Sequence, residues 1–553
     1  MTRPEPSNFA GFLSVAAAIR PQQPAIIVPL HRDNASRGGS AQLSFEQLDK
    51  DTGDVARGLL ASGLRRGDRC ALMVTPGLDF FALIFGLFKA GIVPVLIDPG
   101  IGLKPLKACL DRVEPRGFIG ITKAHVARVV AGWARTSIQV NITVGTRLFW
   151  RGLTLKQVRQ LGQSDTPFET VVPEQDEIAA ILFTSGSTGL PKGVIYTHRI
   201  LIEQVNMIRD MFHIQDGEID LPTFPPFSLF DPALGMTAVI PDMDARFPAR
   251  VDPDMVYAVI SEFAVTNMFA SPALLNTVSR DAVARGKKAP TLRRVISAGA
   301  PALPDTLQRM RSWLNEGVEV FTPYGATECM PICVVGSDEV LATRDLTDAG
   351  MGICVGRPFD RVDIRIIAVS DQAFEKLSDA TLLDVTQIGE IVVHGPTVTP
   401  GYFRNDRATR LAKMHDDNGR LYHRMGDVGY LDEDGRLWFC GRKADIVDTA
   451  DQRLYTEPCE GIFNAHKSVF RAALVGIGRQ GAARPVICIE LEASVARSDW
   501  PQIEKELLEM AAAHDQSSGI KDFVVHPAFP VDIRHNAKIN RTLLGKWATK
   551  RLR

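Results

Sequence analysis

The chain has 553 residues, 45% hydrophobic and 23% charged, which is enough for roughly two to four cores, each the centre of a domain or subdomain. Its 63 Lys and Arg nearly cancel 64 Asp and Glu, so net charge steers it neither to nucleic acid nor to an acidic membrane. Eight scattered cysteines form no C-x-x-C pair, and no histidines complete a zinc site, which excludes a disulfide or zinc scaffold and fits reduced thiols.

The opening MTRPEPSNFA lacks the charged-then-apolar pattern of a signal peptide, so a soluble, cytoplasmic protein is expected. Residues 31–42 read as a loop within a β-hairpin. From Leu43, apolar residues at helical spacing (Leu48, Val55, Leu59, Leu60) predict a helix closed by Gly63 and Gly67. Cys70–Val74 then reads as a buried strand. The run Phe80–Phe88 is too short to span a bilayer and predicts a buried helix ending near Gly91, followed by the strand IVPVLIDP. Further strands are expected at Gly117–Ile121 and Ile178–Phe183, with more helix–strand cycles over Val256–Ala270 and Leu292–Tyr324. This alternation predicts helices packed on largely parallel sheets.

After about residue 350 the segments shorten. VDIRIIAV, GEIVVHG and VGYLDEDGRLWFCG predict a β-rich subdomain, with Asp434-Gly435 turning a hairpin. From about Lys443 a compact α/β tail follows, with a strand at RPVICIELE and a helix at WPQIEKELLEMAAAH. The basic residues Lys546, Lys550, Arg551 and Arg553 read as a solvated helix face.

The strongest chemical signal is ILFTSGSTGLPKGVIYTH, residues 181–198. An apolar strand runs into Thr184, Ser185, Gly186, Ser187, Thr188 and Gly189, and Lys192 follows. Glycines let backbone N–H groups face phosphate oxygens, while hydroxyls and one lysine add donors. It is not a Walker A loop, because Gly193 rather than Ser or Thr follows the lysine, and Pro191 precedes it.

This segment resembles the phosphate-binding signature of the adenylate-forming superfamily: acyl-CoA synthetases, nonribosomal-peptide adenylation domains and luciferases. Further motifs resemble that family in order along nearly the whole chain: LFKAGIVPVLIDP, residues 297–301, residues 322–328, GEIVVHGPTVTPGYFRN and HRMGDVGYLDEDGRLWFCGRKAD. The resemblance implies an α/β adenylate-forming fold. A large N-terminal domain would span 1–442, its β-rich subdomain about 350–442, and a small mobile α+β domain 443–553.

It also implies roles. Lys192 with Thr184, Ser185 and Thr188 would hold the β/γ-phosphates of ATP. Ala298, Gly299, Ala300 and Pro301, with Thr322, Tyr324, Gly325 and Thr327, would form the adenine side. Glu328, with Thr188, would hold Mg²⁺, Asp427 would accept from the ribose hydroxyls, and Arg442 would sit beside it. The mobile catalytic lysine would be Lys538 in RHNAKINR or Lys546 in LLGKWATK. Lys538 is preferred for the strand-like approach AFPVDIRHN and the following Arg541, although Ala537 replaces the family's glycine.

Two departures bear on the second half-reaction. Ala444 stands at the usual hinge position, and Asp451 stands where a glycine normally admits a pantetheine arm. The segment TFPPFSLFDPALGMTAVIPDMDARFPA and YGATECMPICVVGSDE are similar to the β-lactone synthetases of bacterial long-chain olefin biosynthesis. That likeness implies activation of a 2-alkyl-3-hydroxy acid and attack by its own hydroxyl, with assembly among other olefin-pathway enzymes as a further expectation. The alternative is a fatty acyl-CoA or acyl-AMP ligase. A catalytically dead scaffold is opposed by the retained Lys192, Glu328, Asp427, Arg442 and Lys538. His198 and Ser228 are candidate aids to deprotonation, with a polar lining role as the alternative. Phe224, Phe227, Phe230, Met236, Phe269, Met330 and Ile332 mark the expected acyl pocket, with plain core as the alternative.

Overall fold

The computed structural model describes residues 5–29, 39–184, 191–531 and 538–552. Ser185, Gly186, Ser187, Thr188 and Gly189 therefore lie outside the described residues, as does most of the 31–42 loop.

Local signals set the first helix. The Ser44 hydroxyl accepts from the Gln47 N–H at 3.2 Å, and Gln47 Oε1 accepts from the Ser44 N–H at 2.9 Å. This reciprocal cap starts helix Phe45–Ala61. The helix packs on Leu155–Gly162 at two glycines. A Cβ on Gly58 would stand 2.0 Å from the Val158 carbonyl oxygen, and one on Gly162 would stand 1.8 Å from that of Asp54. Helix Leu78–Lys89 is buried from Phe80 to Lys89, as its apolarity on all sides requires. The Lys89 ammonium within it is paired with Asp49 at 2.7 Å.

Among the described residues, two large sheets carry the first two-thirds of the chain. One is ordered Leu153–Thr154, Val140–Val144, Gly117–Ile121, Arg69–Met73, Val93–Leu96, Ile178–Thr184 and Lys192–Thr197. All neighbours are parallel except the last pair, an antiparallel hairpin that brackets the phosphate-loop sequence. The other is ordered Arg357–Pro358, Cys329–Gly336, Val320–Ala326, Arg294–Ser297, Asn267–Ala270, Ile219–Pro222, Thr237–Val239, Pro24–Pro29 and Ser40–Ser44. Pro24–Pro29 and Ser40–Ser44 pair antiparallel, so the strands flanking the 31–42 loop form the expected hairpin. The main core lies between the two sheets, where Phe9 meets the rings of Phe85, Phe88 and Phe230.

A third sheet orders Ile353–Cys354, Leu437–Arg442, Leu421–Leu431, Gly389–His394 and Asp363–Ile367, all antiparallel. Leu431 opposes Leu437 across the Asp434-Gly435 turn, and Gly435 takes a φ of 75° that favours glycine. Beyond Lys443, Val469–Ile477, Arg484–Leu491 and Asp522–Val525 form a separate sheet. Helices Thr456–Asn464, Trp500–Ala512 and Arg541–Arg551 cover it. Among the described residues, no helix is long and apolar enough to cross a membrane.

Candidate active site

A cavity of ≈ 2680 Å³ opens where the three large sheets and the C-terminal segment meet. It lies at the carboxyl ends of parallel strands, where open α/β sheets place ligands. Thr184 and Lys192 line it from opposite strands of the hairpin, at directly paired positions. Ala298, Gly299, Ala300 and Pro301 follow strand Arg294–Ser297 and line the next wall, Gly299 with a φ of 96°. Thr322, Tyr324, Gly325, Thr327 and Glu328 line it from the end of strand Val320–Ala326 and the turn after it. The Thr322 hydroxyl is buried without a hydrogen-bond partner among the described residues.

Asp427 is not in a turn. It lies within strand Leu421–Leu431, directly opposite Arg442 of strand Leu437–Arg442. Arg442 Nε stands 3.2 Å from Asp427 Oδ1, and the Tyr324 hydroxyl donates to Oδ2 at 2.8 Å. Burial pushes the Asp427 carboxyl up, while Arg442 and Tyr324 hold it down. Asp427 Oδ1 is buried and accepts no hydrogen bond among the described residues. A carboxylate oxygen in that state fits a hydroxyl donor from a ligand. Gly441 makes this pairing fit: a Cβ there would stand 2.0 Å from Thr456 Oγ1.

Glu328 is fixed by residues that the sequence reading did not single out. The Tyr402 hydroxyl donates to Glu328 Oε1 at 2.8 Å, and the Thr399 N–H and hydroxyl both donate to the Glu328 carbonyl at 3.0 Å. Lys192 Nζ lies 4.8 Å from the centre of the Tyr402 ring. Tyr402 therefore bridges the lysine and the carboxylate. Backbone bonds from the Ile195 N–H to the Gly401 carbonyl and from the Phe403 N–H to the Gly193 carbonyl carry it there. The available signal was the tyrosine of GYFRN, within a motif already noted. Lys413 is buried behind this turn, 3.4 Å from Thr399 Oγ1, and burial lowers it to about 8 against the opposing pull of Cys329 and Glu328. His423 lines the cavity, held neutral by burial and by the nearby Lys413 and Lys192 charges.

From the C-terminal segment, Lys538 lines the cavity and its charge acts on Asp427. Arg541 anchors that stretch: its Nη2 donates to both Glu460 oxygens at 2.8 Å, and Asp445 stands 3.7 Å from its Nη1. Lys546 is exposed on helix Arg541–Arg551, away from the cavity. Ala444 lines the cavity, whereas Asp451 is exposed in the turn between Val447–Asp448 and Arg453–Leu454.

The apolar end of the cavity is walled by Phe224, Phe227, Phe230, Phe269 and Met330. Phe227 stacks on Phe269 with ring centres 3.7 Å apart. Helix His198–Met211 adds Leu201, Gln204 and Ile208, and Gln204 donates to the Met330 carbonyl at 3.1 Å. His198, Ser228, Met236 and Ile332 are buried but do not line the cavity. His198 lies about a quarter turn around the helix from the cavity-facing residues, at 100° per residue. It packs edge-on against Phe88 at 6.2 Å, and burial lowers it to about 4.

The cavity thus joins a polar end, lined by Thr184, Lys192, Glu328 and Asp427, to an aromatic-walled end. A profile of the AMP-binding enzyme family matches residues 13–403, and the chain belongs to that family. Membership implies an enzyme that uses ATP.

The chain is 47% identical over 553 residues to an olefin beta-lactone synthetase of Stenotrophomonas maltophilia, covering 99% of each chain. It is 46% identical over 548 residues to an olefin beta-lactone synthetase of Xanthomonas campestris pv. campestris, covering 98% of each. Among solved structures it is similar to the amide bond synthetase McbA from Marinactinospora thermotolerans. That match has a TM-score of 0.79 at 20% identity, over 98% of this chain and 99% of that one. This last likeness concerns the adenylate-forming fold.

Proposed function

We propose that the chain is a cytoplasmic β-lactone synthetase that converts a long-chain 2-alkyl-3-hydroxy acid, with ATP, to a β-lactone, AMP and pyrophosphate. The observation that carries this reading is full-length identity of 46–47% to two olefin beta-lactone synthetases. The joined polar and aromatic ends of one cavity support it.

In the first step a substrate carboxylate oxygen bonds to the α-phosphorus of ATP, and pyrophosphate leaves. Thr184 and Lys192 would hold the departing phosphates, with Ser185, Gly186, Ser187, Thr188 and Gly189 of the phosphate loop. Ala298, Gly299, Ala300 and Pro301, with Thr322, Tyr324, Gly325 and Thr327, would hold the adenine. Asp427, flanked by Arg442, would accept from the ribose hydroxyls. Lys538 would stabilise charge between carboxylate and phosphate, in a small domain (443–553) that moves against 1–442.

Glu328 fits a Mg²⁺ ion, because its oxygen chemistry suits a hard cation. The Thr188 hydroxyl, which lies outside the described residues, would be a second ligand, with phosphate oxygens and water as the rest. Bound there, the ion would supply positive charge to the phosphates.

In the second step the substrate's 3-hydroxyl oxygen bonds to the acyl carbon, the bond from that carbon to the AMP oxygen breaks, and the hydroxyl proton passes to solvent. The enzyme's contribution is to hold hydroxyl and carbonyl in attack geometry, a proximity effect. The Phe227–Phe269 wall would hold the alkyl chains. Assembly with other olefin-pathway enzymes belongs to the same proposal and rests on the likeness alone.

The test is incubation with ATP, Mg²⁺ and a long-chain 2-alkyl-3-hydroxy acid, with and without coenzyme A, read by mass spectrometry and proton NMR. A product one water lighter than the acid, with AMP and without coenzyme A, is expected. A thioester formed only with coenzyme A would place the chain among acyl-CoA ligases.

A further inference from the structure

The net charge of −1 hides a strong local asymmetry. The 50 residues from 115 to 164 contain eight Lys and Arg and no Asp or Glu, in a chain whose totals are 63 and 64. Five of those cations, Lys123, Arg135, Arg147, Arg151 and Lys156, are exposed. The nearby Asp111 is already engaged by Lys107 and by the Ala134 N–H.

The same stretch exposes large apolar side chains. Val126, Val129 and Val130 occupy one face of helix Thr122–Ala131, with Val130 81% exposed. Leu148 and Phe149 project from the loop after strand Val140–Val144, with Phe149 75% exposed. The two groups share a rigid base: Trp150 stacks on His125 of that helix at 5.0 Å, and Phe149 packs edge-on against Trp150 at 5.3 Å. Exposed apolar groups within a cationic rim are the chemistry of a surface that inserts among anionic lipid headgroups.

The surface is continuous with the active cavity. Ala124 and Ala127 of the same helix line it, as do Trp133 and the half-exposed Leu103 of the facing segment. One helix therefore carries a wall of the cavity and, beside it, the apolar outer face.

We infer that residues 122–151 form a membrane-contact surface that seats the enzyme on a bilayer bearing anionic headgroups. A two-chain acid would pass there from lipid into the cavity. The cargo rests on the reading under Proposed function; the surface does not. An acid with two long alkyl chains is scarcely soluble in water, so a cavity mouth at a bilayer removes the need for an aqueous transit.

The experiment is co-sedimentation of the full chain with vesicles of phosphatidylcholine alone, and with vesicles of equal parts phosphatidylcholine and phosphatidylglycerol. Binding to the anionic vesicles is expected to exceed binding to the neutral ones by about tenfold or more and to weaken with added salt. Phe149→Glu, Val130→Glu and the pair Arg147→Glu/Arg151→Glu should each abolish most of it. All of these side chains are exposed and off the cavity wall, so the thermal midpoint should be kept. ATP–pyrophosphate exchange with a short, soluble 3-hydroxy acid should be kept too. Native protein left in the supernatant with both vesicle types overturns the inference, as does binding unchanged in all three variants. Loss of self-association in the variants, with no vesicle binding by the native chain, would also overturn it and give the surface to a protein contact. Vesicle binding with no lactone from any 2-alkyl-3-hydroxy acid overturns the reading of the reaction and leaves the surface standing.

Discussion

Asp427 and Arg442 face each other across adjacent strands, with Arg442 Nε 3.2 Å from Asp427 Oδ1, while the Tyr324 hydroxyl occupies the other carboxylate oxygen at 2.8 Å. Oδ1, though ion-paired with Arg442, is buried and accepts no hydrogen bond among the described residues, so it can take one from a ligand. Asp427→Ala should raise the KM for ATP at least about tenfold, the scale of losing charge-assisted hydrogen bonds of 1.5–3 kcal/mol. Tyr324→Phe, which frees Oδ2 but keeps the charge, should cost less. ATP–pyrophosphate exchange separates the two; equal effects would remove Asp427 from the nucleotide site.

Lys538 and Lys546 differ in where they point. Lys538→Ala should slow acyl-adenylate formation by about 10²–10³-fold, the typical loss of one preorganised group at a developing charge, with ATP binding retained. Lys546→Ala, on an exposed helix face, should stay near the native rate. Rapid-quench measurement of acyl-AMP decides, and the reverse ranking would assign the role to Lys546.

Tyr402 touches Glu328 at 2.8 Å and stands under the Lys192 ammonium. Tyr402→Phe keeps the ring for Lys192 and removes the hydroxyl that orients the carboxylate. The expected result is a several-fold higher Mg²⁺ requirement with little change in thermal midpoint. A Mg²⁺ titration of the exchange reaction reads it, and an unchanged titration curve would mean that the hydroxyl does not orient Glu328 for the ion.

Asp220 and Asp231 are buried against each other. Burial raises Asp220 to about 7 against the lowering pull of hydrogen bonds from the Leu221 N–H and the Asp231 carboxyl and of the Arg294 charge, and burial followed by the Asp220 charge raises Asp231 well above its ordinary range. The folded pKa values exceed the unfolded ones, so the native state keeps protons that the unfolded chain releases. Stability should therefore fall as pH rises from the unfolded carboxyl range, near 4, through about 7 and beyond. Asp231→Asn should flatten that fall and raise the unfolding midpoint at pH 8 more than at pH 5. Each pKa unit removed is worth about 1.4 kcal/mol. A variant no more stable at pH 8 than the native chain would show that the pair carries no such strain.

Much of this protein was legible one segment at a time. Helical spacing marked Phe45–Ala61, uniform apolarity marked Leu78–Lys89, and Asp434-Gly435 marked the hairpin, because each is decided by short-range propensity and periodicity. The ordered motifs marked Lys192, Glu328, Asp427 and Arg442, and the fold brings all four to one cavity. Tertiary structure decided what lies between them. Pro24–Pro29 pairs in parallel with Thr237–Val239, more than two hundred residues later, so successive βα units are divided between two sheets that no local pattern distinguishes. The Tyr402 bridge from Lys192 to Glu328 joins three separate segments, and the acid-free face and the cavity meet on one helix. His198 shows the limit from the other side: its residue type suited a proton acceptor, but helix phase turns it into the core beside Phe88. Sequence by itself determined which groups the site could use. Only packing, which sets phase, register and long-range contact, decided which of them face the cavity.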